Sequence, residues 1–377
     1  MLFAKLNQRK QEKPFARFII MDMVKQLRLG SENRVPLLLR NARRGDHDGK
    51  DMLPAAAKQT RETQVHAAAG KGKDDETASI FFIGTATTII DWQGFRILTD
   101  PNFLHAGDQA HLGPGVKTTR RTNPALDLDH LPPLDCILLS HYHEDHFDRV
   151  VEASMNRDFP IITTSHARQC LTQAKDEPFR NVESLEPFES VLLPISADSQ
   201  RGRRTIKITG LPGKHVPPGL LSTVNDNLLL GAVPPTNGWL LELGYATAER
   251  ENQARQESDI DVVFRIYISG DTLYVDELEE IPKRLNIKPL DLMLVHLGGT
   301  TIPGPSAPLL MVTMDGKQGV RLLQLMNPEV TIPIHYDDYD VFASPLSDFK
   351  AEVDKAGLKD RVVYLDRGEA YQFAPRE

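Results

Sequence analysis

The feature that most constrains this chain is a nine-residue stretch, Ser140-His141-Tyr142-His143-Glu144-Asp145-His146-Phe147-Asp148, directly after the apolar run Cys136-Ile137-Leu138-Leu139. It sets three imidazoles and three carboxylates at the end of what reads as a buried strand. A strand that stops at such a cluster lets the following loop aim side chains at a common point while the sheet holds them still. His141 and His143 stand two apart, so both rings can face one side and grip one cation. Asp145 and His146 come after the turn and suit a second cation. Two divalent ions about 3.5–4 Å apart form a catalytic arrangement that polarises a substrate and makes hydroxide available at neutral pH.

The remaining composition narrows the setting. With 377 residues, 40% hydrophobic and 25% charged, the chain has room for one large domain or two small ones. No apolar run approaches the roughly 18 residues of a spanning helix; the longest near the start, Phe18-Ile19-Ile20-Met21, is far shorter, and no clear small-residue cleavage site follows a signal-type core, so secretion is not expected. The two cysteines, Cys136 and Cys170, are too few for a disulfide framework and read as buried thiols of an intracellular protein. A cytoplasmic location is therefore expected. The net charge of −8 argues against a general nucleic-acid surface.

Residues 1–45 are different, with eleven Lys and Arg against Glu12, Asp22 and Glu32 and with Phe3, Phe15, Phe18 and Ile19 among them. Such a start suits a mitochondrial presequence, an interfacial helix touching a membrane, or a poorly ordered extension. Residues 46–77 read as a solvated linker. The expected organisation is a basic extension over 1–77 and one catalytic domain over 78–377. Oligomeric state is left open.

Strand-like runs begin at Ile80-Phe81-Phe82-Ile83, Thr87-Thr88-Ile89-Ile90 and Phe95-Arg96-Ile97-Leu98, the last stopped by Thr99-Asp100-Pro101 with Asp100 at its tip. Residues 102–133 have little periodicity and are expected to be a long loop forming a substrate wall, with His105, His111 and His130 at the surface. Further strands are expected at 160–164, 190–193, 204–209, 239–243, 262–268, 292–295 and 330–334. Helices are expected over 149–156, 166–174 with Ser165 as N-cap, 315–325 and 346–356. Residues 217–235 read as an irregular segment on the ligand side, and 249–259 as a surface excursion.

His141 to His146 matches the His-x-His-x-Asp-His signature of the metallo-β-lactamase superfamily, and Gly213-Lys214-His215, Ser269-Gly270-Asp271-Thr272 and Ile332-Pro333-Ile334-His335-Tyr336 follow in that family's order. The chain resembles this superfamily from about Ser79 to Phe373. The resemblance implies an α/β (α+β) fold, the four-layer αβ/βα sandwich. It also implies His141, His143 and His215 on one metal, Asp145, His146 and His335 on the other, and Asp271 bridging. The relatives place the counterpart of Asp100 under the metals, where it orients a ligand imidazole. Asp148 is a further candidate for such bracing, and Asp145 for relaying a proton. The donor types suit two zinc ions, and iron or manganese would also be accepted.

Ile83-Gly84-Thr85-Ala86-Thr87, Thr99-Asp100-Pro101 and Ile334-His335-Tyr336 look most like the branch holding N-acyl-phosphatidylethanolamine phospholipase D and ascorbate-phosphate lactonase. This chain departs from that branch at Thr85, where many relatives have His, and over Val295-His296-Leu297-Gly298-Gly299-Thr300. Asp271 in place of a Cys points toward phosphodiesters, thioesters and lactones. The short span from His215 to Asp271 leaves no room for the inserted domain of the nucleic-acid-cleaving branches. His296, as donor to a developing oxyanion, and Tyr336 and Tyr339 are the candidate substrate contacts. The expected activity is hydrolysis of a small ester, lactone or phosphodiester, with a lipid-like substrate included. The competing expectations are an iron-dependent oxidoreductase of the same fold and a non-catalytic binding scaffold.

Overall fold

The computed structural model describes residues 78–375 apart from 114, 175–176, 200–201, 217–232, 247–259, 286 and 305–306, together with 25–26 and 35–38. The expected linker over 46–77, nearly all of the basic extension, most of the irregular segment after His215 and the excursion over 249–259 lie outside the described residues.

In chain order, β1 (Lys25–Gln26) precedes a ladder of β2 (Ala78–Gly84), β3 (Thr87–Trp92) and β4 (Phe95–Thr99). A ribbon of β5 (Gln109–His111) and β6 (Lys117–Thr119) leads to β7 (Cys136–Leu138), α1 (Arg149–Ser154), β8 (Ile161–Thr163), α2 (Ser165–Thr172) and β9 (Val182–Ser184). The second half supplies β10 (Ser190–Ser199), β11 (Gly202–Pro212), β12 (Asn237–Ala246), β13 (Asp261–Ile268), α3 (Glu280–Arg284) and β14 (Leu292–His296). It closes with the hairpin β15 (Gly298–Gly304) and β16 (Ala307–Met311), then α4 (Gly316–Met326), β17 (Val330–Ile334), β18 (Phe342–Ser344), α5 (Leu346–Ala356) and β19 (Ala370–Phe373).

Two seven-stranded sheets result, ordered β19-β2-β3-β4-β7-β8-β9 and β1-β10-β11-β12-β13-β14-β17. Alternation along the strands explains how they stack. Ile80, Phe82, Ile90, Trp92, Ile97, Cys136 and Leu138 join Ile206, Leu241, Phe264 and Leu294 in one core between the sheets. Their neighbours Phe81, Ile83, Ile89, Leu98, Ile137 and Leu139 face the other way and pack against Val151 of α1 and Ala167 and Leu171 of α2. On the second sheet, α4 and α5 contribute Val320, Leu323, Met326, Phe349 and Val353. This is the αβ/βα sandwich. Among the described residues, no helix is long and apolar enough to cross a membrane.

The long loop expected over 102–133 contains the β5–β6 ribbon and a turn of 3-10 helix at Leu128–His130. The β15–β16 hairpin was not expected, because Gly298, Gly299, Pro303, Gly304 and Pro308 interrupt any strand pattern there. The N-cap expected at Ser165 belongs to Thr164, whose hydroxyl accepts from the Ala167 amide, so the helix starts one residue earlier. Strand direction places the site. The strands β4, β7 and β8 run parallel, as do β13, β14 and β17, so each set ends at a common edge of its sheet. The Asn237 amide donates to the Ser140 carbonyl, 3.1 Å, and ties those two edges together.

Candidate metal centre

Every group expected at the site emerges from such an edge. β4 delivers Asp100; β7 delivers Ser140 to Asp148; β11 delivers His215; β13 delivers Asp271; β17 delivers His335. Asp271 needs a sharp reversal just before it, and Gly270 makes it with φ +62°; a Cβ there would stand 2.2 Å from the Asn237 carbonyl oxygen.

Two donor sets form. His141, His143 and His215 compose one, and Asp145, His146, Asp271 and His335 the other. His141 Nε2 lies 3.1 Å from His143 Nδ1. In the second set His146 Nε2 is 3.1 Å and His335 Nε2 is 3.4 Å from Asp271 Oδ2, and the same two nitrogens are 3.8 and 3.6 Å from Asp145 Oδ2. Four donors each about 2.0–2.1 Å from a zinc ion form a tetrahedron with edges of roughly 3.3–3.4 Å. The observed spacings bracket that value. Nε2 of His215 and His335 and Oδ1 of Asp145 and Asp271 are buried with no protein hydrogen-bond partner. Buried polar atoms are seldom left so, and here their residues are gathered into the two donor sets, which is what a cation's ligands require. The residues present therefore fit divalent metal.

The outward nitrogens are braced. His215 Nδ1 donates to the Val312 carbonyl, 3.1 Å, and His335 Nδ1 to the Leu297 carbonyl, 3.0 Å. His146 Nδ1 lies 3.1 Å from Asp100 Oδ2. His141 Nδ1 donates to Ser140 Oγ, 3.0 Å, which itself donates to Asp100 Oδ2, 2.9 Å. Each brace fixes a tautomer whose other nitrogen is free for a cation. Sequence reasoning found Asp100 but missed the Leu297 and Val312 carbonyls, since backbone acceptors leave no residue-type signal.

Electrostatics divides the two sets. Burial, and then the surrounding imidazoles, hold His141 well below the usual histidine range. Burial likewise lowers His215 and pushes His143 down to about 4. In the other set, burial opposes ionisation but is outweighed. The Asp271, Asp145 and Asp100 carboxylates keep His146 well above its ordinary value, and Asp271 and Asp145 raise His335. Against the same opposition, His335 and His146 depress Asp271, and His146 depresses Asp145. One set thus favours neutral imidazoles, while the other pairs two carboxylates with two imidazoles that favour the proton a cation would displace.

Three expected roles change. Asp148 braces no ligand ring: it caps α1 by accepting from the Val150 and Val151 amides, 2.7 and 2.9 Å, and also accepts from the Phe103 amide. Tyr336 is buried and donates to the Leu365 carbonyl, 3.1 Å. Tyr339 is buried and donates to Asn102 Oδ1, 3.1 Å, under the Arg120 guanidinium. Both tyrosines are packing residues with their hydroxyls used. His296 sets Nδ1 3.3 Å from Ser269 Oγ, while its Nε2 lies 3.6 Å from Asp100 Oδ2 and is buried without a hydrogen-bond partner. His105, His111 and His130 are exposed, and His111 pairs with Glu144 at 2.9 Å.

A family model described as the Beta-lactamase superfamily domain matches residues 95–336. The chain belongs to the metallo-β-lactamase superfamily, and to its metal-dependent hydrolases. A UPF0173 metal-dependent hydrolase of Methanopyrus kandleri is 23% identical over 295 residues, covering 78% of this chain and 99% of that protein. The N-acyl-phosphatidylethanolamine-hydrolyzing phospholipase D 1 of Caenorhabditis elegans is 24% identical over 303 residues, 78% of this chain and 76% of its own length. The solved isothiocyanate hydrolase from Delia radicum gut bacteria superposes with TM-score 0.59 at 17% identity, over 78% of this chain and 99% of that one, and shares the fold.

Proposed function

We propose that this hydrolase holds two divalent ions, zinc first, and cleaves a small ester, lactone or phosphodiester, with a lipid-like substrate as one form. His141, His143 and His215 hold one ion; Asp145, His146 and His335 hold the other. Asp271, with Oδ2 in the second donor set and Oδ1 unpartnered, would be shared between them. The observation that carries this reading is the gathering of seven His and Asp side chains from the ends of β7, β11, β13 and β17 into two donor sets, the second with its Nε2 and Oδ2 atoms 3.1–3.8 Å apart. Two such ions supply Lewis-acid polarisation and a nucleophilic water near neutral pH. Asp145 Oδ1, buried and unpartnered, is the oxygen that would be placed to accept a proton in that chemistry. The phosphodiester arm is supported by the phospholipase D relative.

The test is a hydrolysis screen of metal-loaded protein across phosphodiester, lactone, ester and thioester panels, with His143→Ala as the blank and bound metal counted by elemental analysis. The reading expects two equivalents of metal and a hydrolytic product absent from the blank. One equivalent or fewer, or equal turnover by the blank, would refute it. Oxygen consumption with bound iron would favour the oxidoreductase instead. Liposome flotation of the full chain against a chain starting at Ser79 tests whether the basic N-terminus contacts membranes; equal failure to float argues against it.

A further inference from the structure

His335 is one of a few non-glycine residues in the left-handed backbone region, with φ +61°, and Thr85, at the β2–β3 turn of the opposite sheet, is another, with φ +50°. For a β-branched residue that conformation costs about 1–2 kcal/mol and persists only where surroundings impose it. The two strained residues are bonded to each other: the His335 amide donates to the Thr85 carbonyl, 2.7 Å. The Thr85 amide in turn donates to Asp338 Oδ2, 2.7 Å. Asp338 is completely buried. Its other oxygen accepts from Thr122 Oγ1 and from Arg367, whose Nε and Nη2 lie at 2.8 and 2.5 Å. The Asp338 carbonyl accepts from the Arg121 amide, 2.7 Å.

We propose that Asp338 is a positioning residue for the Asp145/His146/Asp271/His335 donor set, aiming His335 through Thr85 and the opposite sheet. This rests on the reading of His335 as a metal ligand. His335 leaves β17 at its last residue, so the strand sets where the ring starts but not where it points. Its direction is set by φ at His335, and that φ is held by an amide bonded to Thr85. The Thr85 hydroxyl does not hold its own backbone, since Oγ1 is buried without a partner. The support comes from Asp338, whose two oxygens divide the task. One holds Thr85, and the other is anchored by Arg367 and Thr122, which stop the carboxylate from rotating away.

The division makes a specific prediction for Asp338→Asn. The replacement is isosteric and keeps one acceptor. The guanidinium, as the charged partner, claims that oxygen, and the amide NH2 then faces the Thr85 N–H, donor against donor. Removing Arg367 frees the oxygen to turn back to Thr85, while Thr122 Oγ1 can accept from the NH2.

The experiment measures zinc affinity of each equivalent in the full-length chain by competition with a chromophoric chelator, with the visible spectrum of the cobalt-loaded protein and thermal unfolding of the metal-free protein run in parallel. Asp338→Asn should weaken one equivalent about 10–100-fold, the range for outer partners of metal ligands, leave the other unchanged, and alter the cobalt spectrum. Arg367→Ala should lower the unfolding temperature and weaken metal less than Asp338→Asn does, because Thr122 still holds the carboxylate and both its oxygens can accept. The double variant Asp338→Asn/Arg367→Ala should bind zinc better than Asp338→Asn alone. Wild-type affinities in Asp338→Asn, or a double variant weaker than both singles, would overturn the proposal, the latter because simple loss of packing accumulates. His335→Ala separates the two levels: two undiminished zinc equivalents there would refute the ligand assignment itself.

Discussion

Replacing Asp100 by Asn tests the tautomer argument at one atom. Oδ1 of Asp100 accepts from the Ser140 amide at 2.7 Å, and Oδ2 accepts from Ser140 Oγ at 2.9 Å and faces His146 Nδ1 at 3.1 Å. The Ser140 N–H is a fixed donor, so the single oxygen of Asn must stay on that side. The NH2 then replaces Oδ2. Ser140 Oγ can rotate to accept from it, but the imidazole can accept only at a bare Nδ1, which puts the His146 proton on Nε2. Nε2 is the atom 3.1 Å from Asp271 Oδ2, so the proton occupies the cation's place. The backbone is spared, since φ +35° at this position is tolerated by Asn. The expected loss at the second donor set is about 10–100-fold in metal affinity, roughly 1.4–2.8 kcal/mol. Chelator competition on the full-length chain reads the loss directly, and unfolding of the metal-free protein reports whether the fold has changed. Undiminished binding of both equivalents by Asp100→Asn would refute the argument.

Further outcomes follow from the same geometry. At pH 7, filling the three-histidine set should release almost no protons, because burial keeps those imidazoles neutral, while filling the second set should release up to two from His146 and His335. Because those two must deprotonate, affinity at the second set should rise with pH through the neutral range and that at the first should stay flat until acid near the His143 value of about 4; calorimetry in buffers of different ionisation enthalpy measures the proton count. Gly270→Ala should destabilise the protein by about 3 kcal/mol, from the left-handed backbone plus the forced shift of Asn237, read by urea unfolding. Tyr336→Phe should cost about 1–3 kcal/mol by leaving the Leu365 carbonyl unpaired, with kcat/KM unchanged, and a selective rise in KM would restore it as a substrate contact.

Much of this was legible because the signals are local. The unbroken apolar runs Ile80 to Ile83 and Cys136 to Leu139 mark strands covered on both faces, and each does split its side chains between two cores. The seven side chains picked out by their order along the chain are the ones brought into the two donor sets. What was misread lay beside them. Asp148 looked like part of the site because it ends a motif, yet its carboxylate is used on backbone amides at the start of α1. Tyr336 and Tyr339 were candidates by proximity in sequence, but a residue next to His335 points away from it, into the core.

The order of residues alone determined which donors exist, how they are spaced around strand ends, and therefore that divalent metal and hydrolysis are the chemistry to expect. It could not determine how each donor is aimed, because aim depends on partners far off in the chain: Leu297 for His335, Val312 for His215, and Thr85 with Asp338 across the sandwich, 253 positions apart. Those contacts exist only once two sheets have packed with their strand ends together. Spacing is a property of the chain, whereas direction is imposed by whatever the fold places opposite.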